Sequence, residues 1–173
     1  MADTPAFLTL RRNRDDATRV EQWVRRAVVV LLALFLLAGL LNLFGQRPQT
    51  SNAAAPAASL KLYAPNRVRS GLYFEARFTI TAVDGVKDAM LVLDPGWLEG
   101  MTLNTVEPSP VGEASRNGKL VFELGHIRKG TSYILFLQFQ VNPTNVGRRS
   151  QDVALYDAGA LLTTIERTIT IFP

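Results

Sequence analysis

The sequence predicts an all-β antiparallel sandwich of seven or eight strands over residues 60–173, behind one N-terminal transmembrane α-helix. Three observations carry this. A continuous apolar block from Ala27 to Phe44 (AVVVLLALFLLAGLLNLF) holds no charged residue. From Leu60 onward, apolar and polar residues alternate instead of running together. Turn residues punctuate that second region at short intervals, with no helical periodicity between them.

As a helix, the apolar block is about 27 Å long, close to the roughly 30 Å of a bilayer's hydrocarbon core. A helix is the one form in which such a segment satisfies its own backbone in lipid. The predicted span is residues 27–45. Asn42 is its one strongly polar residue, four places from Ala38. It is read as snorkelling toward the interface, with contact to a partner helix as the alternative. Trp23 lies one turn before the block, Arg25 and Arg26 mark its inner boundary, and Arg47 follows it. These four are the expected membrane-interface residues.

Arg11, Arg12, Arg14, Arg19, Arg25 and Arg26 precede the block, and only Arg47 lies close after it. The positive-inside rule then puts the basic tail, residues 1–26, in the cytoplasm and the C-terminal domain outside the plasma membrane. The rival is a cleaved signal peptide, with an A-x-A pattern at Ala53 and Ala55. The tail and the apolar block are both long for that, so an uncleaved single-pass anchor is expected. Asp15 and Asp16 supply helix-start chemistry, and one helix should run from the tail into the membrane. Residues 46–59 (QRPQTSNAAAPAAS) are small and polar with two prolines, the composition of a linker.

The clearest strand is Leu72 to Ala82. Leu72, Phe74, Ala76, Phe78, Ile80 and Ala82 face one way; Tyr73, Glu75, Arg77, Thr79 and Thr81 face the other. Tyr133 to Val141 is apolar on both faces at first, as a central strand is. Further strands are expected at Leu60 to Tyr63, Ala89 to Leu93, Met101 to Glu107, Leu120 to Leu124, Val153 to Tyr156 and Leu161 to Phe172. Asp84-Gly85, Asp94-Pro95-Gly96, Asn117-Gly118, Lys129-Gly130, Asn142-Pro143 and Ala158-Gly159 separate them. Asn117-Gly118 is a strong hairpin signal. Arg167 falls among Ile165, Ile169 and Ile171 on one face, which predicts a bulge or a sheet edge there. This strand count and spacing suit an immunoglobulin-like sandwich.

One order of motifs is more specific. Asp94-Pro95-Gly96 is followed by Gly100-Met101-Thr102, Leu120 to Ile127 (LVFELGHI), Gly130-Thr131 and the long strand Leu135 to Val141. Between about Leu72 and Val141 this resembles the Ig-like "conserved repeat" modules of bacterial surface proteins. The resemblance implies a sandwich used as a spacer or binding unit. The single copy and the anchor here depart from the tandem runs of that family.

Composition narrows the chemistry. With no cysteine there are no disulfides, thiolate metal sites or cysteine nucleophiles, and the one histidine, His126, rules out histidine-rich metal sites. The net charge is +4, with the basic cluster beside the apolar block, which fits membrane topology better than nucleic acid. A Ser-His-Asp triad would have to use His126, and no nucleophile elbow accompanies it. Glu99, Glu107, Glu113 and Glu123 are scattered, and Asp84, Asp88 and Asp94 lack the spacing of an EF-hand calcium loop. No catalytic, cofactor or metal residues are therefore assigned.

The candidate partner contacts are Trp97, Leu98 and Met101, in a glycine-flanked loop, with Arg148 and Arg149 at the end of a polar loop. Exposed, Trp97 would anchor a partner; buried, it would plug the end of the sandwich, the favoured reading. The expected function is a membrane-anchored binding or assembly module of a bacterial envelope. It would be an accessory subunit that holds the bilayer through residues 27–45 and engages another membrane or envelope protein. The alternative is a binder of a cell-wall polymer or small ligand through Trp97, Tyr63, Tyr73 or Tyr133.

Overall fold

The computed structural model describes residues 12–43 and 45–173. They divide into two compact units, with the break between Leu43 and Phe44.

Among the described residues the first unit holds one unbroken helix, α1 (Arg12–Leu40), as the helix-start chemistry and apolar block predict. Within it Val20–Leu40 is long and apolar enough to cross a membrane, and its large apolar side chains are exposed. The helix stops earlier than residue 45, and Asn42 is the reason. Asn42 takes a positive φ of 53°. Its N–H donates to the Gly39 carbonyl, while Leu43 N–H reaches the Ala38 carbonyl. That pair of bonds is a Schellman cap, with asparagine in the left-handed position usually held by glycine. Asn42 is thus a helix terminator, a role neither sequence reading gave it.

In the second unit, thirteen strands form three sheets among the described residues. One five-stranded sheet runs in the order β1 (Pro48–Ala54), β2 (Ala58–Pro65), β4 (Tyr73–Ala82), β9 (Ser132–Val141), β6 (Met101–Glu107). The other runs β12 (Ala160–Ile165), β11 (Val153–Asp157), β5 (Val86–Leu93), β8 (Lys119–Ile127), β7 (Gly112–Arg116). A three-stranded sheet, β10 (Gly147–Ser150), β13 (Thr168–Phe172), β3 (Arg67–Arg69), joins strands that continue out of both. The fold is the expected all-β sandwich behind one apolar helix.

The period-two reading of β4 holds from Tyr73 on: Phe74, Ala76, Phe78, Ile80 and Ala82 are buried and Tyr73, Glu75 and Arg77 exposed, while Leu72, expected on the inward face, precedes the strand and is exposed. The buried side chains of β4 meet Leu60 and Leu62 of β2, Leu135, Leu137 and Phe139 of β9, and Leu91, Leu93, Phe122 and Leu155 of the opposite sheet in one core. Asn117 and Gly118 both take positive φ, 52° and 75°, in the β7–β8 hairpin, as a type I′ turn requires. Ala158 and Gly159 do the same between β11 and β12.

Eight runs were expected and more strands form, for two reasons. The last run breaks at Glu166 and Arg167 into β12 and β13, which belong to different sheets. In addition, β1, β3, β7 and β10 are short or polar and carry no alternation to reveal them. The stretch 46–59 is corrected most: it holds β1 and the start of β2, paired in unbroken register from Pro48↔Pro65 to Ala54↔Ser59. As the edge of its sheet, β1 buries little, so its composition stays polar.

Candidate functional site

The segment between β5 and β6 crosses from one large sheet to the other. Pro95–Trp97 forms a short 3₁₀ turn that drops Trp97 into the core at 0% exposure. Its ring lies 5.7 Å from Phe78 and 5.3 Å from Phe139, and its indole N–H donates to the Asp152 carbonyl at 3.3 Å. Trp97 is the plug. Met101 is buried as well, so neither residue is available as a surface anchor. Leu98 remains partly open, at 38%.

Where a bulge or sheet edge was expected at Arg167, the chain breaks between β12 and β13, and the Arg167 side chain is half-buried. The Arg167 guanidinium lies 5.6 Å from the Trp97 ring centroid and donates to the Pro65 carbonyl at 2.6 Å. Burial pushes its pKa down to about 10, so it stays charged at neutral pH. Its backbone N–H donates to Asp152 Oδ1 at 2.9 Å, which fixes the break between β12 and β13.

Arg149 serves the loops. It pairs with Glu99 at 3.5 Å and donates to Asn145 Oδ1 at 3.0 Å. Asn145, itself buried, donates to the carbonyls of Glu99 and Gly100, each at 3.0 Å. The loop after Val141 is thereby tied to the loop before β6, and Arg149 is a structural residue. Arg148 is exposed on β10. On α1, Arg26 lies 5.9 Å from the Trp23 ring centroid and Arg25 pairs with Glu21; Arg47 is exposed just before β1.

His126 is an exposed residue of β8. Asp84 pairs with Lys129 at 2.8 Å, which holds its carboxyl below the usual range, and Asp94 pairs with Lys119 at 3.0 Å, which raises the lysine. No group of three or more metal-ligating side chains occurs among the described residues. A groove of about 230 Å³ beside Asp94, Lys119, Asp152 and Tyr156 is smaller than ordinary ligand pockets.

The outer face of the β1-β2-β4-β9-β6 sheet carries several exposed apolar and aromatic side chains on neighbouring strands. Register places Thr50, Tyr63, Arg77, Phe136 and Glu107 in one row across all five strands. Ile134 lies beside Phe136 on β9, opposite Thr79, and Tyr73 lies further along β4. Ile134, Tyr63 and Tyr73 are 42%, 37% and 53% exposed. The Arg77 guanidinium sits 5.0 Å from the Tyr63 ring centroid. Toward the far end the face continues as a shallow depression of about 300 Å³ that includes Asn52, Lys61, Thr79 and Thr81. Tyr133, by contrast, points inward and packs against the core, where burial raises its pKa.

Arg77, Ile134 and Phe136 were not singled out in the sequence. The available signal was the doubly apolar start of β9, which sequence reasoning assigns to a central strand covered on both sides. The strand is central in its sheet, yet its outer face lies open.

No family model matches the chain, and no curated protein matches it. Among solved structures, it is similar to the chitin-binding domain of a hyperthermophilic chitinase from Pyrococcus furiosus, at 17% identity and a TM-score of 0.41, over 64% of this chain and 96% of that one. It is also similar to CaCohA2 from Clostridium acetobutylicum, at 16% identity and a TM-score of 0.43, over 60% and 84%. A third is the GAE domain of GGA2p from Saccharomyces cerevisiae, at 12% and 0.34, over 71% and 97%.

Proposed function

We propose that this chain is a membrane-anchored binding or assembly module, not an enzyme. The helix α1 holds it in the plasma membrane with the N-terminus in the cytoplasm. The sandwich stands outside and docks, as an accessory subunit, against another membrane or envelope protein. The observation that carries this is the open sheet face with Tyr63, Arg77, Ile134 and Phe136 on adjacent strands. Tyrosine and arginine are the residue types that dominate protein–protein hot spots, and aliphatic neighbours exclude water around them.

A second reading keeps one observation of its own: Tyr73 and Tyr63 share this exposed face, as aromatic platforms for a polymer or small ligand do. Arg77 already lies over the Tyr63 ring, which favours the protein partner.

A photo-crosslinking amino acid placed at Ile134 in the full-length chain, in native membranes, tests the proposal. The expected result is a discrete protein adduct that is absent when the same group replaces Thr164, exposed on the other large sheet. Equal adducts from both positions would reject the face. Retention of the chain on cell-wall material without any protein adduct would promote the polymer reading.

A further inference from the structure

The three-stranded sheet carries a basic outer face. Pairing sets Arg67 of β3 beside Thr170 of β13, and Thr170 beside Arg148 of β10; Arg69 follows two residues along β3. The same register turns Val68, Ile169 and Ile171 into the core, so all three arginines point the other way, and all are exposed. Across two strand spacings the backbones of Arg67 and Arg148 are about 10 Å apart, and Arg67 and Arg69 about 7 Å. Among the described residues the four ion pairs use other cations, and none neutralises these three.

This face lies at the end of the sandwich where the chain enters. Asn66 Nδ2 donates to Gln49 Oε1 at 2.9 Å, which fixes the residue before Arg67 against the start of β1. Gln46 Nε2 donates to the Tyr73 carbonyl at 2.7 Å, and Ser70 N–H donates to the Phe172 carbonyl at 2.8 Å. Between Leu43 and Pro48 the chain has only residues 44–47, a tether of at most about 14 Å when extended. In sequence, the strand that enters this end of the sandwich thus follows closely on the apolar segment. Counter-charge at a membrane surface acts within a Debye length of about 8 Å.

We propose that Arg67, Arg69 and Arg148 dock the sandwich on the phosphate headgroups of anionic lipids in the membrane that holds α1. The proposal rests on the anchor reading above. It uses the three-stranded sheet and leaves the Tyr63–Arg77–Phe136 face of the five-stranded sheet free for a neighbouring membrane protein. Exposed Leu72 and Val146 flank the basic face and suit the boundary layer between headgroups and water.

The native absence of cysteine permits a clean test. The full chain, carrying one fluorophore at Ser70→Cys, is reconstituted in POPC nanodiscs with and without POPG, and quenching by a headgroup spin-labelled lipid is read. A second preparation carries the fluorophore at Pro56→Cys, in the β1–β2 turn at the far end. The expected result is POPG-dependent quenching at residue 70 and none at residue 56. Each arginine replaced by alanine should lower the docked-to-undocked ratio about fivefold. The triple variant, matched to wild type in thermal unfolding, should lose the POPG dependence. Equal quenching in both lipids, or quenching unchanged in the triple variant, would overturn the docking face alone. Elution of the chain apart from the nanodisc would overturn the anchor and the docking face together.

Discussion

Trp97→Ala is expected to destabilise the sandwich by about 3–5 kcal/mol, the range for removing a fully buried large aromatic side chain. Three partners lose their contact at once: the rings of Phe78 and Phe139 and the guanidinium of Arg167. The last adds to the cost, because the half-buried guanidinium loses its ring contact while still bonded to Pro65. Thermal or denaturant unfolding of the full chain in detergent reads the effect. If Trp97 were instead a surface anchor, the substitution would leave stability within about 0.5 kcal/mol and weaken only partner binding. A stability loss this large separates the plug from the anchor without any knowledge of the partner.

Gly96→Ala is expected to be at least as severe, about 4 kcal/mol or more, and to prevent accumulation of folded protein. A Cβ on Gly96 would lie 1.9 Å from the Ser150 carbonyl oxygen, well inside contact distance, and 3.0 Å from that residue's carbonyl carbon. The obstacle is backbone, so no side chain can swing away. Either β10 leaves β13 or the 3₁₀ turn lifts Trp97 from the core. The measurement is the yield and proteolytic resistance of Gly96→Ala beside Gly130→Ala. A Cβ at Gly130 meets nothing within 4 Å, so its penalty is the local one of a positive φ of 74°. Equal yields would show that the close approach of Gly96 to Ser150 does not govern this junction.

Much of this architecture is legible in the residues, and the illegible parts have physical causes. Strands with one face in the core reveal themselves by alternation, as β4 does, and the asparagine–glycine turn identifies its hairpin because both residues accept positive φ. β1 hides because an edge strand with little burial has no need of apolar residues, and alanine, serine and threonine read equally well as linker. Trp97 and its two glycines mark an unusual loop, but burial is decided by which sheets the loop connects. Arg149 and Arg148, neighbours in sequence, separate into a loop clamp and an exposed side chain because strand geometry sends them to opposite faces. The Tyr63–Arg77 contact comes from register between strands fourteen residues apart, which no single run of sequence displays. Arg67 and Arg69 sit on a three-residue strand too short to leave a pattern.

The open face also bears on how such a module would act. A helix in the membrane confines both partners to two dimensions and raises their effective concentration, so a modest face is enough for stable association. The proposed role of this face is to join the protein to a membrane-bound partner. Ile134→Asp in the full-length chain tests it most directly, since an exposed position tolerates the charge while a docked one does not. Native membranes are solubilised mildly and the size of the complex containing the chain is measured for wild type and variant. Wild type is expected to migrate in a complex well above its own 19.1 kDa, and the variant, equally stable, to fall out of it. A complex of unchanged size in the folded Ile134→Asp variant would contradict the account.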